Sequence, residues 1–67
     1  MSHPGLTPAP EFVGLHEEEA RGLAANRGMH VRIAVRDGEA FVLTGDLRSD
    51  RVNVVIRQHV VEHAFIG

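Results

Sequence analysis

Residues 44–54 read TGDLRSDRVNV, and this stretch can be taken in two ways. Alone, Thr44-Gly45-Asp46 suits a tight turn, since glycine tolerates positive φ and aspartate can bond its own backbone. In its surroundings the stretch is the far end of something longer. A turn signal at Asp37-Gly38 and a strand starting near Arg51 bracket a connection longer than any hairpin needs. That connection contains Phe41, Val42 and Leu43, so it is not a solvated linker. Long connections without secondary structure in compact domains are usually functional or disordered. Its charges are also placed suggestively, with Asp46 in the loop and Arg48 and Arg51 flanking its return.

The end of the stretch is a strand. In RVNVVI, Val52, Val54 and Ile56 fall on one face and Arg51, Asn53 and Val55 on the other. Arg51 and Asn53 are therefore expected beneath the loop, where Arg51 can bond Thr44 or Asp46. A guanidinium fork suits a carboxylate. The ordinary alternative for each pair is an exposed salt bridge worth ~0–1 kcal/mol.

Working outward, HVRIAVRDG alternates in the same way. Val31, Ile33 and Val35 point one way and Arg32, Ala34 and Arg36 the other, giving a half-buried strand that ends at Asp37-Gly38. Before it, HEEEARGLAANRG carries the helical pattern, with Ala20, Leu23 and Ala24 as the buried stripe. Glu17, Glu18 and Glu19 fill the first turn, where carboxylates favour the positive end of the helix dipole. A solvated helix start explains them better than a metal or substrate site. Glu19 has the place of the third residue in a capping box, with His16 where serine or threonine is usual, a change costing about 1 kcal/mol. Arg27-Gly28 is the stop. After a turn near Gln58-His59, VVEHAFIG reads as a last short strand. The fold class is α+β: a small sandwich of one helix on a short mixed sheet, with a long exposed loop. Residues 1–10 hold all three prolines and little to bury, which predicts a flexible tail, His3 included. Order is expected from EFVG onward, with Phe12 and Val13 docking on the core, so the domain is 11–67.

Composition narrows the function. At 67 residues, with no cysteine, the chain is one domain that no disulfide or thiolate metal site can stabilise. The net charge is −2 and the only aromatics are three phenylalanines, a poor surface for nucleic acid. No apolar run approaches the roughly 20 residues of a membrane span, and no signal-peptide pattern opens the chain. The expectation is a cytoplasmic domain. HVVEH (His59 to His63) matches the H-x-x-E-H pattern of one metallopeptidase class. The β-branched flanks favour a strand, in which the two histidines stand about 13 Å apart at ~3.3 Å per residue, too far for one zinc. His16 and His30 are isolated, and no Ser-His-Asp set has support. No metal or cofactor is expected, and no catalysis.

The elements EFVG before the helix, EEEA opening it, Thr44, Asp46, Leu47, Arg48, Asp50, Arg51 and Val52, and the closing Ile66-Gly67 together resemble the potato inhibitor I (eglin c-like) family of serine protease inhibitors. The resemblance runs from about Glu11 to Gly67, and the Asp-Arg-Val-Asn form is most similar to small bacterial relatives. It implies a wedge-shaped domain that presents a substrate-like loop, about residues 40–48, to a subtilisin-like or elastase-like protease. Leu43, Thr44, Gly45, Asp46, Leu47 and Arg48 would contact the enzyme, with Gly45–Asp46 as the scissile bond. Arg51, Asn53 and Gly67 would support the loop, and Arg48 would assist. Two departures bear on potency. Gly45 offers no side chain to the S1 pocket, and Asn53 stands where better-known members have a second supporting arginine. The resemblance therefore implies inhibition that is weak or tuned to a narrow pocket. The other function left open is a protein-interaction module that keeps the inhibitor fold without inhibiting.

Overall fold

The computed structural model describes residues 7–67. In order, the chain forms β1 (Thr7–Pro8), a single 3-10 turn (Pro10–Phe12), α1 (Glu17–Asn26), β2 (His30–Arg36), β3 (Glu39–Ala40), β4 (Arg51–Arg57) and β5 (Val60–Ile66). The helix forms where the apolar stripe predicts it. Ala20 and Ala24 are buried, and Leu23 packs against the same cluster. At its start the His16 backbone N–H donates to Glu19 Oε1 at 2.9 Å, one half of a capping box. At its end Gly28, at φ 69°, turns the chain. The Gly28 and Met29 amides then reach Ala25 O (3.0 Å) and Ala24 O (2.8 Å), the two bonds of a Schellman motif.

The strands form one mixed sheet in the order β1-β5-β4-β2-β3, with β2 parallel to β4 and the remaining neighbours antiparallel. Helix α1 covers one face. Between them lie Phe12, Val52, Val54, Ile56 and Val61, all essentially inaccessible to solvent. Phe12 docks as its sequence predicts, whereas Val13 stays exposed. Arg27 sits 5.8 Å from the Phe12 ring centroid and pairs with Glu11, tying the 3-10 turn to the end of the helix.

The parallel pairing is what makes the loop. A chain that leaves β2 at one end must return to the other end before it can run parallel to it. Asp37 and Gly38, at φ 49° and 82°, form the two-residue hairpin expected of an Asp-Gly pair. Strand β3 then takes only two residues of the way back. Residues 41–50 cover the rest without regular structure. The predicted connection is thus interrupted by a short strand that its sequence did not reveal.

Two other expectations change here. Order starts earlier than the proposed tail boundary, because Thr7 and Pro8 pair with Ile66 and Phe65, and Ala9 is buried. An edge strand can hold a proline that a central strand cannot. From there the segment follows the outer edge of β5, with bonds from Ala9 N to Ala64 O (3.0 Å) and from Gly14 N to Val61 O (2.8 Å). His3 and the remainder of residues 1–6 lie outside the described residues. The last strand is not short, since β5 matches β2 and β4 at seven residues. Its turn residues Gln58 and His59 both have positive φ, at 50° and 69°. His59 therefore stands in a turn and His63 opposite Val55 in the strand, with a register shift between them. Among the described residues, no group of three or more His, Cys, Asp or Glu is placed to hold a metal ion. No described helix is long and apolar enough to cross a membrane.

The alternation of β2 also breaks. Ile33 pairs with Val54, but Val35 pairs with Val55, so Ala34 is an extra residue. A bulge of this kind moves every later side chain to the other face. Val35 leaves the helix side and Arg36 joins it. There Arg36 donates to both Glu17 carboxylate oxygens, at 2.8 and 3.2 Å. Arg36, with Arg21 on the next turn of the helix, pulls the Glu17 carboxyl from 4.5 down to about 2. A carboxyl whose folded pKa is depressed adds stability that is complete above about pH 4.5 and lost as pH falls toward 2. Glu17→Gln is expected to flatten the fall of melting temperature across that window. Equal slopes for the variant and the wild type would remove the pair from acid stability.

Candidate functional site

The loop at 41–50 carries apolar side chains that the core does not use. Among the described residues, five large apolar side chains are exposed, and four of them are Phe41, Val42, Leu43 and Leu47. Val42 is wholly exposed, at 102% of its reference area, and Leu47 is 58% exposed. Apolar side chains scattered singly over a surface are ordinary, whereas these four share one loop. Between these residues Gly45 stands clear, with no heavy atom other than those of its chain neighbours within 4 Å of where a Cβ would lie. Its φ lies outside the left-handed region, unlike those of Gly14, Gly28 and Gly38. Its φ therefore does not itself require glycine.

Beneath the loop the topology brings together three strand ends. Pairing sets His30 beside Arg51, Arg32 beside Asn53, Asn53 beside Phe65, and Val52 beside Ile66. Arg51 lies on the loop side, as the alternation predicts, and Asn53 bonds Arg32, Phe65 and Gly67 without itself touching the loop. Arg51, whose side chain is only 12% exposed, donates through Nε to the Gly67 backbone oxygen at 2.9 Å. Through Nη2 it donates to the Asp46 carbonyl at 2.7 Å, and its Nη1 lies 3.5 Å from the Asp46 carboxylate. Of the two partners its position allows, Arg51 thus takes Asp46. The Thr44 hydroxyl, ahead of the Arg51 charge, holds the Asp46 carboxyl below its ordinary value.

Thr44 is bound by a residue that sequence reasoning passed over. Arg32 on β2 donates through Nη1 to Thr44 Oγ1 at 2.9 Å and through Nε to Asn53 Oδ1 at 2.7 Å. Strand alternation places Arg32 on a face but gives it no neighbour. Only the parallel register beside Asn53 does. Asn53 is almost fully buried, and its amide donates to the Gly67 oxygen at 3.2 Å and to Phe65 O at 3.4 Å. The position where the resemblance expects a second arginine is thus occupied by a buried amide that fixes an arginine arriving from another strand. No buried side-chain polar atom among the described residues lacks a partner.

Arg48 does not reach under the loop. It forks onto Asp50 at 2.8 and 2.9 Å, which takes the Asp50 carboxyl down to about 2, and both side chains face solvent. Such an exposed pair is worth ~0–1 kcal/mol, and the bonds to the loop come from Arg51 and Arg32. At the opposite end of the molecule, a concavity of about 670 Å³ is lined by His16, Glu17, Glu18, Glu19, Arg21 and His59. The carboxylates of Glu17 and Glu19 there are engaged by Arg36 and by the helix start.

What this arrangement can do is present a short apolar segment of backbone in fixed form, tied from below on both sides of Gly45. Compared with protein-family models and with curated proteins, the chain matches none.

Proposed function

We propose that the chain is a serine protease inhibitor of the potato inhibitor I type, presenting residues 40–48 to the cleft of a subtilisin-like or elastase-like enzyme. The observation that carries this reading is the exposed loop tied at Thr44 by Arg32 and at Asp46 by Arg51, with open space at Gly45 between them. A loop already fixed in its bound shape loses little entropy on docking. If the Gly45–Asp46 bond is cut, the ties keep both new ends close, so hydrolysis is slow and reversible. The proposal gives the chain no catalysis of its own and no cofactor.

Gly45 limits what the S1 pocket can contribute, so the target suited to this loop has a narrow pocket there. One observation favours the second reading. The fully exposed Val42, with its apolar neighbours Phe41 and Leu43, gives a non-protease partner a grip that needs no side chain at position 45.

Incubation with subtilisin, chymotrypsin and elastase, followed by mass spectrometry, separates the two readings. The expected result is inhibition of at least one enzyme, with any slow cut confined to Gly45–Asp46. Neither inhibition nor a cut anywhere in the loop would leave the interaction module standing.

A further inference from the structure

We propose that Arg32 and Asn53 are positioning residues that join the two sides of the loop into one unit, so that order at Thr44 and order at Asp46 depend on each other. The proposal deepens the inhibitor reading, on which its kinetic consequence rests.

The hydrogen bonds form an unbroken chain. Thr44 Oγ1 accepts from Arg32 Nη1, and Arg32 Nε donates to Asn53 Oδ1. Asn53 Nδ2 donates to the Gly67 oxygen, which also accepts from Arg51 Nε, and Arg51 Nη2 donates to the Asp46 carbonyl. The chain begins one residue before Gly45 and ends one residue after it. Its middle is the buried Asn53 amide, 1% exposed. Water cannot replace the partners of such a group, and losing one leaves it with its full desolvation cost. The two end bonds, to Thr44 and to Asp46, face solvent while the middle is buried, and members of one network couple, so removing two costs an amount different from the sum of the single losses.

The acceptors on Arg32 identify its role. They are a hydroxyl and an amide oxygen, both neutral. Neutral acceptors in two directions require the planar fork of a guanidinium, and a charge alone does not satisfy them. Arg32→Lys is therefore expected to fail as a substitute for Arg32, although it keeps the charge. Arg32 is only part-buried, and the apolar core lies on the other face of the sheet. The fold is expected to survive its loss.

The first test uses the free protein and no protease. Backbone ¹⁵N relaxation is measured for the wild type, Arg32→Ala, Arg32→Lys and Asn53→Asp, with melting temperatures to exclude general loosening. Arg32→Ala and Arg32→Lys are expected to raise fast motion at the amides of Thr44 and Gly45 and also at Asp46 and Leu47, beyond the tie that is cut. Asn53→Asp keeps an acceptor for Arg32 but removes the donor toward Gly67. In that background Arg32→Ala is expected to loosen Asp46 and Leu47 less than it does alone, leaving only what the direct Thr44–Asp46 side-chain bond carries. Asp46 and Leu47 staying as ordered as in the wild type after Arg32→Ala alone would overturn the proposal. Should Arg32→Ala fold poorly, Arg32→Gln gives the same comparison.

The second test is a double-mutant cycle of Arg32→Ala and Arg51→Ala, read as inhibition constants against a protease that the wild type inhibits. A departure from additivity of about fivefold or more is expected for residues in one network, and strictly multiplicative losses would contradict the relay. A wild type that inhibits no protease counts against the inhibitor reading, and relaxation still decides the relay.

Discussion

Replacing Gly45 with leucine is expected to tighten inhibition of a subtilisin-type protease by one to two orders of magnitude. The empty position forgoes roughly 1.5–3 kcal/mol of the burial that a leucine-sized side chain gains in an apolar pocket. At ~1.4 kcal/mol per tenfold, that is the stated range. The usual objection to replacing a loop glycine does not apply here. Gly45 has open space where the Cβ would go and a φ that L-residues adopt freely. The substitution also removes the excess backbone freedom of glycine, worth about 0.5–1 kcal/mol in regular structure. Titration of Gly45→Leu against subtilisin measures the effect. No gain over the wild type would mean that Gly45 does not precede the bond the enzyme approaches.

Removing Arg51 acts in the opposite direction. Its guanidinium is nearly enclosed and donates at 2.7 Å to the Asp46 carbonyl and at 2.9 Å to the Gly67 oxygen. Hydrogen bonds to a charged group contribute about 1.5–3 kcal/mol each. On the proposed inhibitor reading, losing the tie at Asp46 alone is enough to let the new amino end depart after a cut instead of staying to be rejoined. Arg51→Ala is expected to be hydrolysed at Gly45–Asp46 roughly 100-fold faster than the wild type, at ~1.4 kcal/mol per tenfold. A mass-spectrometric time course follows the products. A bond that stays intact through a long incubation with an enzyme that binds the variant would show that Arg51 does not protect it.

What could be read from sequence was the part that depends on local order. The stripe of Ala20, Leu23 and Ala24, the Gly28 stop and the alternation of β4 all lie within one element, and each appears as expected. The placement of Arg51 and Asn53 under the loop follows from that alternation. The rest depends on how separate segments meet. The bulge at Ala34 arises from the register between β2 and β4, so nothing in HVRIAVR marks it. For the same reason Arg36 moved to the helix side unforeseen. Arg32 was missed because its partners lie 12 and 21 residues away, across a parallel pairing that no hairpin announces. Thr7 and Pro8 belong to the sheet because an edge position was open to them at the end of β5. A proline-rich stretch does not advertise that.

The core forms without a single side chain from residues 41–50. If the loop binds as proposed, folding and recognition are written in different residues of the same short chain. Phe41, Val42, Leu43, Gly45 and Leu47 can be rewritten together without touching the packing between helix and sheet. Thr44, Asp46 and the three residues beneath them serve as the fixed frame for each new version. A library randomised at those five positions should keep melting temperatures near that of the parent while its members diverge in what they bind. In such a scaffold specificity can drift from one target to the next without passing through an unfolded intermediate sequence.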